Sequence, residues 1–481
     1  MNPTEKAPTV LPSEQVGPKG WIRVIMCLEL ADNYDADQIS SILTTAWANF
    51  KERTPMVGVE MVPLGPEVKP AGMVKLQPYS EGDIVDFVVK DHRKNDALPS
   101  FAQLKAQNFP TAAFDVDTFC YRGLGGEWPN YAVDRVPTNM MQANLIKGGL
   151  LLNHLCFHGF ADATTMWKLT ELFAEDVRRA QGLDIEKPAI IHMQDRAKLL
   201  ESTGKHVSAN FAENHKEFLH IPFTPEAIPP GLTDIPHHAN IFQFTPDAIR
   251  ALKEECSPSN VRLLKGHDNL PEYITTNDAL TALLWRSTQR AEQHDHSAVG
   301  DKPSVIQVAL DTRRRAHVPV HPHTLGNIMG YTVAALPLQQ VLSGEHASLA
   351  DLAVLVRQGV AKSGHTYYDE LANYVENMDN VNRLVITAFL DMIGANVLQS
   401  NWSEFDYYRI EWGPAFGHRI KAFRFPASGV CPGFNIIMPS PPSAPKDTRE
   451  LLINVSDKAW PRLMADETWN RYATNPTTVV Y

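Results

Sequence analysis

Apolar residues along this chain follow two rhythms. The run GWIRVIMCLEL over 20–30 reads as an extended segment, whereas from Ala36 through Phe50 the apolar positions take the spacing of an amphipathic helix. The most apolar stretch, LIKGGLLLNHLCF from Leu145 to Phe157, has the length and content of a buried strand, with the Gly148-Gly149 pair as a tight or closely packed interruption. GFADA then turns the chain before a helix predicted from near Thr164. Met166, Trp167, Leu169, Leu172 and Phe173 form much of its apolar face.

The second half repeats this alternation. ANIFQFT is a strand candidate, and PDAIRALKEEC is a helix that Pro246 can start, with Ile249 and Leu252 on its buried side. TTNDALTALLWRSTQRAE predicts a capped helix, with Thr276 or Asn277 near its start and Leu280, Leu283, Leu284 and Trp285 packed. SVIQVALDTRRR reads as a strand entering a charged turn. The prolines from Pro426 through PSPPSAP predict a rigid loop beside the strand-like GFNIIM and ELLINVS. Between the halves, Lys205 to Ile235 has the polar, proline-containing character of a crossover, which Phe211, Phe218, Leu219 and Phe223 can anchor on a domain surface. These alternating units predict an α/β architecture in two domains, 1–235 and 236–481. No internal repeat is visible.

Composition narrows the class without choosing an activity. With 481 residues, 44% of them hydrophobic, the chain is long enough for two cores. No apolar run is long enough for a bilayer span, and MNPTEKAPTVLPSEQ has no secretory core, so a cytoplasmic location is expected; a monomer is expected separately, with nothing in the sequence that fixes the oligomeric state. A formal charge of −11 disfavours a nonspecific nucleic-acid binder. Cys27, Cys120, Cys156, Cys256 and Cys431 are widely separated and form no CxxC pair, which speaks against a disulfide scaffold or a zinc knuckle.

Chemistry concentrates where the apolar stretch ends. His158 is followed four residues later by Asp162, one proton acceptor and one acidic orienting group at a strand-to-helix junction. A buried structural histidine is the bland alternative. Cys156 lies two residues earlier, so on an extended strand it would share a face with His158 and invite covalent catalysis. His154 extends the series and, with HPH at 321–323, raises the question of a metal. A strand and turn make the equal spacing misleading, so the HPH reads as a polar loop and no metal is expected. The run Arg313, Arg314 and Arg315 is either a solvated turn or support for a carboxylate or a charged donor. There is no phosphate-binding glycine loop or dinucleotide fingerprint.

The block LIKGGLLLNHLCFHGFADATTM resembles the BAHD acyltransferases, especially the fungal branch of trichothecene acetyltransferases, with His158 and Asp162 at the marked positions of their HxxxD motif. TTNDALTALLWRSTQR, LDTRRR, Gly326-Asn327 and NWSEFDYYRIEWGPAFG extend the resemblance over most of the chain. It implies two chloramphenicol-acetyltransferase-like domains with an active-site channel at their interface, and transfer of an acyl group from acyl-CoA to a hydroxyl of a small secondary metabolite. An amine acceptor, a noncatalytic small-molecule binding module and a cyclase are the alternatives. The implied roles are His158 as general base, Asp162 as loop organiser and Arg313 as the partner of Asp162. It disfavours an acyl-enzyme on Cys156. Where the family has DFGWG, this chain has Glu411, Trp412, Gly413, Pro414 and Ala415, so that Trp412 and Gly413 are channel or supporting candidates. Pro414 and Ala415 leave the backbone geometry of this segment open, because proline fixes φ and alanine resists conformations that glycine allows. CoA contacts and oxyanion donors cannot be assigned from the linear order.

Overall fold

The computed structural model describes residues 7–122, 129, 134–207, 210–224, 235–293, 302–392, 394–429 and 431–474, and in it the apolar stretch over 145–157 is part of a hairpin rather than one strand. Asn139–Ile146 runs in, Lys147 and Gly148 turn, and Gly149–Phe157 runs back. The glycine pair is the reason. Gly148 has φ of +75°, which residues with a side chain avoid, and a Cβ on Gly149 would collide with the ring of Phe101.

This hairpin lies in a five-stranded sheet of order 422–424, 21–29, 149–157, 139–146 and 87–91, antiparallel except for the last pair. Val24, Met26 and Leu28 join a core with Leu43, Trp47 and Phe50 of helix Ala36–Arg53 and with Leu169 and Phe173 of helix Ala163–Ala180. The alternate residues Ile25 and Cys27 face a second core with Phe101, Leu104 and Phe114. Both faces of the strand are covered, which is why GWIRVIMCLEL shows little polar alternation.

A six-stranded sheet orders 329–337, 303–311, 396–401, 434–438, 449–456 and 237–244, with 396–401 parallel to both of its neighbours. Leu283, Leu284 and Trp285 of helix Thr276–Glu292 share a core with Ile306, Val308 and Leu451. The helix is capped by Thr275, one residue before the expected positions, because only there does Asp278 fall at the third helical position and return a bond to the cap backbone. Pro246 opens helix Pro246–Glu255 behind the cap Thr245.

Two features join the halves. Strand Ala422–Arg424 pairs with Trp21–Glu29, so the first sheet takes an edge strand from beyond position 235. Of the expected crossover over 205–235, residues 208–209 and 225–234 lie outside the described residues. Phe211 and Phe218 are buried, but Leu219 and Phe223 are 40% and 61% exposed and anchor nothing. Phe218–His220 pairs as a strand with Leu384–Ile386, so Leu219 points opposite to Phe218.

Candidate active site

Strand Gly149–Phe157 ends one residue before His158, whose N–H still donates to Gly20 O at 2.8 Å. The ring is half-buried in the wall of a pocket. Its Nδ1 lies 3.1 Å from Ala161 O, and since a carbonyl can only accept, Nδ1 carries the proton and Nε2 keeps its lone pair. Burial lowers the pKa of the imidazole below its ordinary value, although the charge of Asp162 and the hydrogen bonds oppose that shift. The neutral ring at pH 7 is therefore a proton acceptor.

Asp162 does different work. It is the N-cap of helix Ala163–Ala180, accepting from Thr165 N at 2.9 Å. Its other bonds come from Ile328 N at 2.9 Å and from two guanidinium nitrogens of Arg313 at 2.8 and 3.1 Å. All four donors lie away from His158, so the carboxylate fixes the loop and acts on the ring only through its field. Arg313 also donates to Thr324 O, Gly326 O and Asp311 Oδ1. Burial alone would lower the pKa of Arg313, but Asp162 and Asp311 raise it above the ordinary value and keep the group cationic. Arg314 is exposed, and Arg315 bonds to the carbonyls of Ser363 and Asp311. Of the arginine run, only Arg313 belongs to the site.

The pocket encloses about 980 Å³, part of it open to solvent. Trp21 and His158 line it from the first sheet, Met329 and Leu398 from the second, and Trp402 and Phe425 from the segment that returns to the first sheet. The walls are largely apolar, as a site for a lipophilic small molecule requires.

Residues 21–176 match the family model described as the trichothecene 3-O-acetyltransferase-like N-terminal domain. The chain is 26% identical over 470 residues to the trichothecene 3-O-acetyltransferase of Fusarium sporotrichioides, covering 94% of this chain and 93% of the relative. Over these stretches the chain is similar to the trichothecene acetyltransferases that the BAHD resemblance of its HxxxD block pointed to. An eremophilane O-acetyltransferase of Penicillium rubens is also 26% identical, over 70% of this chain and 71% of its own length. The chain spans about half, 51%, of the enoyl-CoA isomerase/hydratase claC of Penicillium crustosum, at 24% identity over 97% of the chain. In three dimensions it resembles F. graminearum TRI101 in complex with coenzyme A and T-2 mycotoxin, with a TM-score of 0.76, 20% identity and coverage of 97% and 99% of the two chains. The likeness to vinorine synthase has a TM-score of 0.62 at 13% identity over 98% and 94%. The BAHD-like α/β fold is thus common to all three.

The segment that resembles the second BAHD motif forms a turn bounded by two glycines. Gly413 and Gly417 take φ of +86° and +62°, while Pro414 begins the short helical turn Pro414–Phe416, a position that suits its fixed φ and missing N–H. Pro414 and Ala415 both occupy positions of this helical turn. Gln181 Nε2 donates to Trp412 O at 2.7 Å and Gln181 Oε1 accepts from Ala415 N at 3.0 Å, tying this turn to the end of the helix that Asp162 begins. Trp412 is fully buried and packs edge-on against Phe173 with ring centroids 6.1 Å apart. Neither Trp412 nor Gly413 lines the pocket described above.

Cys156 shares its strand face with His154, at 3.3 Å, not with His158, which lies past the strand end. Burial pushes the Cys156 thiol well up and the His154 imidazole down to about 3, so both are neutral packing groups. Sequence reasoning did not single out Thr165, Glu14 or Arg196. Thr165 Oγ1 donates to Gly326 O and accepts from Gly326 N, both at 2.8 Å. Glu14 accepts from Arg196 at 2.7 Å and from Asn327 N at 3.1 Å, while Asn327 Nδ2 donates to His158 O at 2.7 Å. These bonds join the N-terminal segment, the short turn Gln194–Leu199 and the Gly326-Asn327 loop to the histidine turn. A buried Glu14 in a polar run gives no periodic signal.

Proposed function

We propose that this protein transfers an acyl group from acyl-CoA to a hydroxyl of a small apolar metabolite. The pocket would be a channel between two chloramphenicol-acetyltransferase-like halves. The observation that carries the reading is the His158 tautomer, with Nδ1–H held by Ala161 O and Nε2 left basic in an apolar pocket. Nε2 takes the hydroxyl proton as the oxygen attacks the thioester carbonyl. The tetrahedral intermediate then expels the thiolate, which recovers that proton from the imidazolium. Asp162 and Arg313 position the turn and take no part in proton transfer. Ser400 Oγ, on the pocket wall, accepts from Trp402 Nε1 at 3.0 Å, leaving its own O–H to stabilise the oxyanion. Hydroxyl rather than amine transfer accords with the acetyltransferase activities named for the relatives.

The test is mass spectrometry of the purified protein with a panel of acyl-CoAs and lipophilic alcohols or amines, beside its His158→Ala variant. An ester formed by the wild type and lost in the variant supports the reading. Amide products alone would reassign the acceptor. An ester formed equally by the folded variant would remove His158 from the chemistry.

A further inference from the structure

The HPH pair in its polar loop acquires a third histidine in the fold. His192, from the segment after helix Ala163–Ala180, joins His321 and His323, and one ring nitrogen of each lies within 4.8 Å of the others. All three side chains are half-buried. The rings of His192 and His321 lie face to face at 3.5 Å and 8°, with His323 edge-on at 5.3 Å from His321. His192 Nδ1 is buried without a hydrogen-bond partner among the described residues, an orphaned lone pair or N–H that needs an explanation. None of the three lines the pocket that holds His158.

We propose that His192, His321 and His323 bind one divalent cation of the zinc type, as a clip separate from the reaction. Imidazole nitrogen suits zinc and its neighbours in the first transition row. The ligating form is the neutral imidazole, and the charge of Lys168 acts on both His192 and His323. Lys168 also opposes a second cation nearby, but Glu171 pairs with it at 2.7 Å.

Zinc–nitrogen bonds of about 2.0–2.1 Å place tetrahedral ligands roughly 3.4 Å apart, so the rings must close in. The stacked pair must splay, and His321 Nδ1 must release the bond it accepts from His323 N at 3.1 Å. The main chain is already in place. Leu325 N donates to His192 O at 2.9 Å, His321 N to Asp195 Oδ2 at 2.7 Å, and Arg196 to Leu325 O at 3.0 Å. Bound metal would fasten the 192–196 segment to the loop whose Gly326 and Asn327 hold Arg313 and the His158 carbonyl. A water would complete the shell.

The full chain, stripped with a chelator, is titrated with Co²⁺ by visible absorption and with Zn²⁺ by calorimetry. One Co²⁺ per chain with the intense bands of a four-coordinate site is expected. His321→Gln and His323→Gln should each weaken binding on the order of 10–100-fold or more. His158→Ala should leave the stoichiometry unchanged. No saturable binding by the wild type, or equal affinity in both folded glutamine variants, overturns the proposal. Should the variants fail to fold, X-ray absorption of the Zn²⁺-loaded wild type decides. Three imidazole nitrogens support the clip, and a shell of oxygen or of fewer histidines overturns it.

Discussion

His158 and Asp162 are four residues apart yet share no hydrogen bond, and this separation assigns them different failures on mutation. His158→Ala removes a half-buried ring whose Nδ1 holds one carbonyl, so the melting temperature should change little while turnover falls about 10²–10⁴-fold. The pKa of His158 is lowered by burial, so the base is already neutral above its unperturbed value and loses function only when protonated at lower pH. The acid limb of kcat/KM is therefore expected at a midpoint below about 6.5, as a pH profile would reveal. A limb at higher pH would contradict the buried, neutral ring. Asp162→Ala should instead leave the buried Arg313 with Asp311 as its remaining carboxylate and uncap a helix, costing about 3 kcal/mol by chemical denaturation. The motif residues and Arg313 were legible through resemblance, since each is a marked position. Glu14, Arg196 and Thr165 were not, because their partners lie far along the chain and only folding makes them neighbours.

Among the elements, buried strands and amphipathic helices were readable where one rhythm governed a whole segment, as in Trp21–Glu29 and Ala36–Arg53. The hairpin before His158 was misread as one strand because both arms are apolar and its two-residue turn leaves no polar gap. The altered second motif teaches the reverse. Its turn is built on positive φ at Gly413 and Gly417, with Pro414 and Ala415 in the short helical turn between them. Gly413→Ala should cost about 1–3 kcal/mol through backbone strain, with its Cβ also meeting Gln181 Nε2 at 2.6 Å. Ala415→Gly, which restores the family residue, should destabilise by about 0.4–1 kcal/mol through added freedom of the unfolded chain. Thermal melts of the two variants would check the order. A stabilising Ala415→Gly would mean that the turn is strained after all.

For the whole molecule, the sequence suggested two units divided at 235/236, and the contacts show how strongly they depend on each other. Met26, Phe423, Trp402 and Ile436 share one core, although the last three come from the second half. Strand Ala422–Arg424 covers the edge of Trp21–Glu29, and Arg424, almost fully buried, donates to the carbonyls of Phe109 and Asn108 in the first half. Burial alone would lower the pKa of Arg424, but Glu450, also of the second half, contributes to raising it, and the carbonyls of Phe109 and Asn108 that take its other bonds are supplied only when the first half is docked. A fragment of residues 1–235 would expose a strand edge and one side of its main core. It should therefore be aggregated or molten when expressed alone, as judged by gel filtration and near-ultraviolet circular dichroism. Co-expression with 236–481 should restore a soluble complex, because the missing strand and core residues are supplied in trans. If fragment 1–235 instead folds alone, with a cooperative melt near that of the full chain, the shared core contributes little to its stability and the halves are independent domains.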